Sequence, residues 1–372
     1  MSRELRGMTW RHDRGERSIV EASREWSREH PGVTFAWESR SLLDFGDQPL
    51  AELAGQYDLL VIDHPHVAEA AAQGVLAAFE AAPDPSDFVG RSQPSYVWGG
   101  ACWGLAIDAA AQVSLHRPEL LPDAPSDWEG ALALAREGRA IWAGKPVDAF
   151  ASLFTLVAGI SGSDPARGGR FCDDGVFEEA WSVLRDLADA VPERCLDANP
   201  IDVAEELATG DEFAYCPLAY GYTNYSRVGY RPHRVRYRDI PFAPGTREPR
   251  GSMLGGAGIT VSAGSAHLAT AQEFALWAAR PEVQTGVYFD AGGQPGHAAA
   301  WSDPRLDALT YGFFSGTGES MRRASLRPGH PAYMRLQNEG SREIWAGLRD
   351  KSDGRRVRAR LDELTAQMED SA

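Results

Sequence analysis

The run Tyr57-Asp58-Leu59-Leu60-Val61-Ile62-Asp63 constrains this chain more than any other stretch. It is continuously apolar and closes on an acid, the pattern of a strand buried on both faces of a parallel sheet. Such a strand needs strands beside it and helices above and below. The upstream sequence supplies them. Residues 5–10, LRGMTW, read as a strand, followed by the loop His12-Asp13-Arg14-Gly15. Residues 18–29 read as a helix with Ile19, Val20, Ala22 and Trp26 on its apolar face, stopped by His30-Pro31-Gly32. Residues 33–37 read as a second strand, and a helix is expected over about 45–56. Strand, helix, strand, helix, strand is a wound α/β unit.

Downstream the texture changes. Residues 95–107 are aromatic, Gly-rich and extended, and a helix-rich stretch runs from about 128 to 208. Residues 213–222, FAYCPLAYGY, and 235–242 read as extended. Residues 254–262, LGGAGITVS, form a second Gly-rich extended segment, followed by a helix over 266–279 and a polar helical C-terminal region.

A chain of 372 residues predicts two or three domains at about 150 residues each. Lys and Arg number 37 against 53 Asp and Glu, giving a net charge of −16. That field argues against nucleic acid and against anionic membrane surfaces as partners. No segment approaches the roughly 18 apolar residues of a membrane span. Cys102, Cys172, Cys195 and Cys216 are spread with no CxxC pair, so free thiols are expected and a zinc knuckle is not. The opening residues MSRELRGMTW carry neither a signal segment nor a lipid-accepting cysteine, so the chain as written is expected in the cytoplasm. A native start lying elsewhere would instead place it outside the cell or at the membrane.

The order of these segments resembles the extracellular solute-binding proteins of ABC importers, the carbohydrate-type group that includes maltose-binding protein. TWRHDRG, EHPGV, YDLLVIDHP, YVWGGACWGLAID, DWEGALALA, FAYCPLAYGY, GGAGITVSAGSAHLATAQEFALWAARPEVQ and LRPGHPAYMRLQNEGSREIWAGL carry the resemblance over nearly the whole chain. Ala106 departs from it, standing where many members have Pro, and so does the missing export signal. The resemblance implies a type II periplasmic-binding-protein-like α/β fold of two wound lobes with a ligand cleft between them. Lobe 1 is expected to be 1–108 with 257–312, and lobe 2 109–256 with 313–372. The crossings are expected near 107–110, 254–258 and 311–316. The implied function is capture of a small polar solute, a carbohydrate or related polyhydroxylated metabolite, by hinge closure. The implied partner is an ABC permease if the protein is exported, and the implied state is monomeric, with no cofactor.

Ligands of wound α/β lobes sit beyond the carboxyl ends of the strands. That rule selects Trp10, His12, Asp13 and Arg14 after the first strand, with a solvated turn at a helix N-terminus as the alternative for Asp13. Asp44 follows the second strand as a candidate ligand contact, with the N-cap of the helix from Phe45 as the favoured reading. Asp63 and His64 follow the third. The Asp63-His64-Pro65-His66 run lacks further ligands at a metal spacing, so cleft-lining polar groups are the better reading. Trp98 and Asp108 combine a stacking face with a carboxylate, as sugar pockets require. Trp103 alternates with Cys102, and either faces the core. Tyr220 and Tyr222 flank Gly221, where the resemblance implies a stacking aromatic, and Trp301 is a further candidate.

Arg234, Arg236 and Arg238 recur at period two and read as the wet face of an edge strand. Arg227 or Arg231 is a candidate for holding an anionic ligand. The competing function is a cytosolic metabolite sensor, or a thiaminase-like enzyme on the same fold with Cys102 as nucleophile and His12 or His64 as its base.

Overall fold

A computed structural model describes residues 3–40 and 50–371. The chain folds as two compact units. The first comprises Met1–Ala109 and Gly255–Leu306, the second Ala110–Leu254 and Asp307–Ala372. The strands in chain order are β1 (Arg3–Trp10), β2 (Val33–Arg40), β3 (Leu59–Ile62), β4 (Val97–Trp98), β5 (Ala101–Cys102), β6 (Leu105–His116), β7 (Tyr215–Tyr220), β8 (Arg236–Arg238) and β9 (Leu254–Val261). The division between the units falls within β6 and near the start of β9.

In the first unit β1 lies between β2 and β3 and is parallel to both. Parallel pairing puts the carboxyl ends of β1 and β3 at one edge of the sheet, so the loops that follow them are neighbours. All four residues of β3 are buried. Its other neighbour is β9, which runs antiparallel, pairing Leu59 with Val261 and Ile62 with Gly258. The sheet is therefore mixed where an all-parallel surrounding was expected. A run buried on both faces demands covered faces, and the direction of its second neighbour leaves no trace in its own sequence.

Helix Glu16–Glu29 covers the sheet through Ile19, Ala22 and Trp26. The Trp26 ring meets Phe35 and Phe274 edge-on at 5.8 and 5.7 Å. The helix expected over about 45–56 is seen as Leu50–Ala54, its earlier part lying outside the described residues. Residues 95–107 are not one extended segment. A single turn, Pro94–Tyr96, leads into a tight hairpin of β4 and β5 through Gly99 and Gly100, both at positive φ, before β6 begins.

In the second unit β6 pairs antiparallel with β7 and with β8. Helix Pro146–Ser161 is almost wholly buried, which accounts for its apolar composition. Helices Asp174–Ala190, Tyr333–Arg349 and Arg355–Asp370 belong to the same unit. Gly340 and Gly347 mark close packing there: a Cβ at Gly340 would come within 2.7 Å of Leu361, and one at Gly347 within 2.6 Å of Val357.

Candidate functional site

The first unit gathers its polar groups where β1 and β3 end. After β1 the chain turns sharply: the Gly15 and Glu16 N–H groups both donate to the His12 carbonyl, and the Arg14 N–H donates to His12 Nδ1. This turn starts helix Glu16–Glu29. Trp10 is buried and lies flat on Gly15, where a Cβ would come within 2.3 Å of the indole. Only glycine fits beneath it. His12 is half-buried and Asp13 exposed. After β3, Asp63 Oδ1 accepts from the His64 N–H at 2.8 Å and lies 3.2 Å from His64 Nδ1. The His66 and Val67 N–H groups close onto the Asp63 and His64 carbonyls, starting helix His66–Ala72. His64 is buried, edge-on to Tyr96. Among the described residues, no three His, Cys, Asp or Glu side chains gather as a metal ion would need.

Arg14 and Asp108 were both expected to face a ligand, and the structure turns them toward each other. Arg14 Nε donates to Asp108 Oδ2 at 2.7 Å and Arg14 Nη2 to Oδ1 at 2.5 Å. The side chains are 5% and 1% exposed. Burial pushes the Asp108 carboxyl above its ordinary range, while the Arg14 guanidinium and the Ala257 N–H draw it back. The fork-on-fork pair ties the loop after β1 to β6, next to Ala109, where the first segment of the unit ends.

The remaining candidates of this unit lie on the same strands or near them. Pro295 bridges to Asp108, and Trp301 Nε1 donates to the Pro295 carbonyl at 2.8 Å. Trp98 is half-buried at the β4–β5 hairpin, and Trp103 Nε1 donates to its carbonyl. Cys102 is the member of the Cys102–Trp103 pair that faces the core, 7% exposed. Its thiol donates to the Gly104 carbonyl, and burial raises its pKa. A nucleophilic cysteine needs the opposite, an environment that stabilises thiolate. Asp44 lies outside the described residues.

Two residues that the sequence did not single out hold this region together. Gln294, fully buried, donates through Nε2 to the Ala109 carbonyl at 2.8 Å, while its own carbonyl accepts the Ala109 N–H. Gln284 Oε1 accepts the Gly296 N–H at 2.9 Å. The signal available was a Gln embedded in the apolar, Gly-rich run 286–296, where an amide must be there to satisfy backbone.

A shallow groove of about 480 Å³ includes His12 and Asp13 and continues along Glu16, Arg17, Glu21 and Arg24. Its walls are mostly the charged outer face of a helix, with Val20 as the apolar residue among them.

In the second unit, β7 ends at Tyr220, half-buried and opposite Gln112 on β6. Gly221 packs on the Phe313 ring, and Tyr222 is 7% exposed. Thr223 and Asn224, buried polar residues in the turn that follows, were not anticipated. Arg231, an earlier candidate for an anion, already has one: its Nε donates to both oxygens of Glu205 at 2.7 and 2.8 Å. Arg227 is half-buried just past that turn.

Residues 25–303 match the family described as bacterial extracellular solute-binding protein. The chain belongs to this family. No curated protein matches it in sequence. Among solved structures, this solute-binding protein is similar to maltose-bound MalE3 of T. maritima, with a TM-score of 0.85 at 16% identity over 100% of both chains. The ABC substrate-binding protein Lmo0181 from Listeria monocytogenes, in complex with cycloalternan, gives 0.81 at 14% identity, covering 99% of this chain and 100% of that one. The GacH receptor of Streptomyces glaucescens GLA.O, solved unliganded and with acarbose, gives 0.81 at 15% identity over 99% and 98%. The fold is thus that of the type II periplasmic binding proteins. The family is one of binding proteins, and its description is extracellular. No helix among the described residues is long and apolar enough to cross a membrane.

Proposed function

We propose that this solute-binding protein captures a carbohydrate for ABC-type import. The observation that carries the reading is the family match over residues 25–303, joined to three full-length structural neighbours described with maltose, cycloalternan and acarbose. The chemistry of the strand ends supports it. Sugars need hydrogen-bonding groups for their hydroxyls and flat apolar surfaces for their C–H faces. In the first unit we assign hydroxyl contacts to His12, Asp13, Asp63 and His64, and stacking to Trp98 and Trp301. Asp44 remains a candidate there. Trp10 backs the loop through Gly15, and the Arg14–Asp108 pair positions it. In the second unit we assign stacking to Tyr220 and Tyr222. The partner is an ABC permease, and the site of action lies outside the cytoplasmic membrane, in keeping with the family's extracellular description.

The buried, proton-donating Cys102 thiol weighs against the thiaminase-like alternative. A thermal-shift panel of maltose, longer and cyclic α-glucans, acarbose, amino acids and thiamine tests the reading. A ligand at a thousand times its dissociation constant adds about 4 kcal/mol, a shift of several degrees. The expected result is a shift with one or more saccharides, each recovered unchanged. Stabilisation by amino acids or thiamine alone would overturn the carbohydrate assignment. Consumption of the compound would overturn the binding role.

A further inference from the structure

We propose that β8 and the preceding Arg234 form a docking edge for an extended, acidic segment of a partner protein. β8 pairs with β6 alone among the described residues, through Ser114–Arg238, Leu115–Tyr237 and His116–Arg236. Tyr237 is buried, so Arg236 and Arg238 project on the opposite face. Both are half-exposed, as is Arg234. The Arg234 and Arg236 guanidiniums stack on one ring, 3.9 and 4.4 Å from the centroid of Tyr311. Tyr311 holds a left-handed backbone at φ 57°, a costly conformation for a non-glycine residue. Arg238 rests on Gly316, where a Cβ would come within 2.6 Å of its Nη1.

The cluster lacks its counter-charge. Elsewhere in the chain arginines commonly sit beside carboxylates, as Arg14 does with Asp108 and Arg231 with Glu205. Among the described residues, none of Arg234, Arg236 and Arg238 makes an ion pair. The nearest acids face Arg238 without pairing to it: Asp123, Asp239 and Asp307. Two of these are committed elsewhere, Asp239 to the Ser320 N–H and Asp307 to the Ser315 N–H. His116 stands opposite Arg236, and burial, then Arg238 and Arg236, push its pKa down to about 4. It therefore adds no positive charge near neutrality. In a chain of net charge −16, such an island is complementary to an acidic partner and to little of its own surface.

The spacing selects the partner's form. Arginines at alternate strand positions stand about 6.6 Å apart, the repeat of alternate side chains on a neighbouring strand. Carboxylates at alternate positions of an extended segment meet them one to one. The surface stands whether or not the solute is a sugar.

The test uses a fluorescent peptide alternating glutamate and threonine, its glutamine counterpart, and inorganic sulfate, read by anisotropy against the full chain. The expected result is binding of the glutamate peptide that weakens with salt. Each of Arg234→Gln, Arg236→Gln and Arg238→Gln weakens it up to about fivefold, and the triple variant abolishes it. Lysine at the same positions restores part of the affinity. The triple variant keeps the parent's circular-dichroism spectrum and its cooperative thermal unfolding, which shows that it folds. The proposal is overturned if the glutamate peptide does not bind at low salt, if the glutamine peptide binds as well, or if the triple variant binds undiminished. Competition by sulfate as effective as the peptide itself would also overturn it, marking a small-anion site.

Discussion

Asp108 in the first unit and Asp148 in the second are both buried carboxyls, 1% and 5% exposed, in opposite company. Asp108 meets a guanidinium fork within hydrogen-bonding distance on both oxygens. Asp148 stands in the first turn of helix Pro146–Ser161, where the helix N-terminus favours negative charge, but has no ion-pair partner among the described residues. Lys145 pulls its pKa down, yet that ammonium is 41% exposed and lies beside Asp202. Burial dominates, and the Asp148 pKa is pushed up to about 8. The contrast separates two ways of keeping an acid inside a protein. One supplies a matched cation, and the other keeps the proton.

Removing the matched cation's partner is the harshest way to break the comparison. Asp108→Ala takes from the buried Arg14 the carboxylate that accepts from its Nε and Nη2, so a loss of about 3–5 kcal/mol is expected in chemical denaturation. The double variant Arg14→Met with Asp108→Leu removes both charges and is expected to recover most of that loss. If the double variant is as unstable as the single one, the cost lies in packing and not in the lost charge pairing.

Asp148 makes stability depend on pH. Its folded pKa, about 8, lies above its ordinary value of 3.8, so between those pH values the folded chain holds a proton that the unfolded chain releases. Its contribution to stability therefore falls as pH rises through that window and levels off above about 8. Asp148→Asn removes the titration. The variant is expected to match the parent near pH 4 and to exceed it increasingly toward pH 8, by on the order of 2 kcal/mol once relaxation of the site is allowed for. A parent–variant difference that does not change with pH would mean that Asp148 is ionised in the fold.

A neutral network in the second unit sharpens the contrast further. Gln112 Oε1 accepts from Thr155 Oγ1 at 2.7 Å, Thr155 Oγ1 accepts the Met253 N–H, and Ser252 Oγ donates to the Gln112 carbonyl. These groups fix β6 and the approach to β9 without any charge. Thr155→Val keeps the shape and unpairs the Met253 N–H, for an expected cost of about 1–3 kcal/mol that does not vary with pH. A strong pH dependence would show that the network is coupled to Asp148.

Much of this architecture was legible in local pattern. The run 57–63 announced β3 because a doubly covered strand must be apolar throughout. Helix Leu268–Ala278 and the two C-terminal helices followed from ordinary periodicity. The Gly99-Gly100 hairpin carries its own turn signal inside a segment whose aromatics point only to extended backbone. The candidate site was less legible for a different reason. Nothing around Asp108 marks Arg14, 94 positions away, as the group that will occupy it. An acid set in an apolar strand has the same local sequence whether it faces a ligand or an arginine. Gln294 and Gln112 were missed for the same reason, since their partners are backbone carbonyls and hydroxyls set by tertiary packing.

Cys102 completes the series as a buried acid whose charge never enters the fold. Its thiol is 7% exposed, donates to the Gly104 carbonyl at 3.3 Å, and accepts from Gln93 Nε2 at 3.4 Å. Burial raises its pKa, so the neutral form prevails where Asp108 is held by a cation and Asp148 by its proton. Cys102→Ser keeps both hydrogen bonds in kind, and its effect is expected to be the smallest here, within about 1 kcal/mol of the parent. Solute affinity is expected to stay unchanged, and iodoacetamide should label Cys102 in the parent slowly until the first unit unfolds. Rapid labelling of the native chain at neutral pH would reveal a thiolate that this environment does not stabilise. It would also return Cys102 to consideration as a nucleophile, because reactivity requires the ionised form that burial opposes.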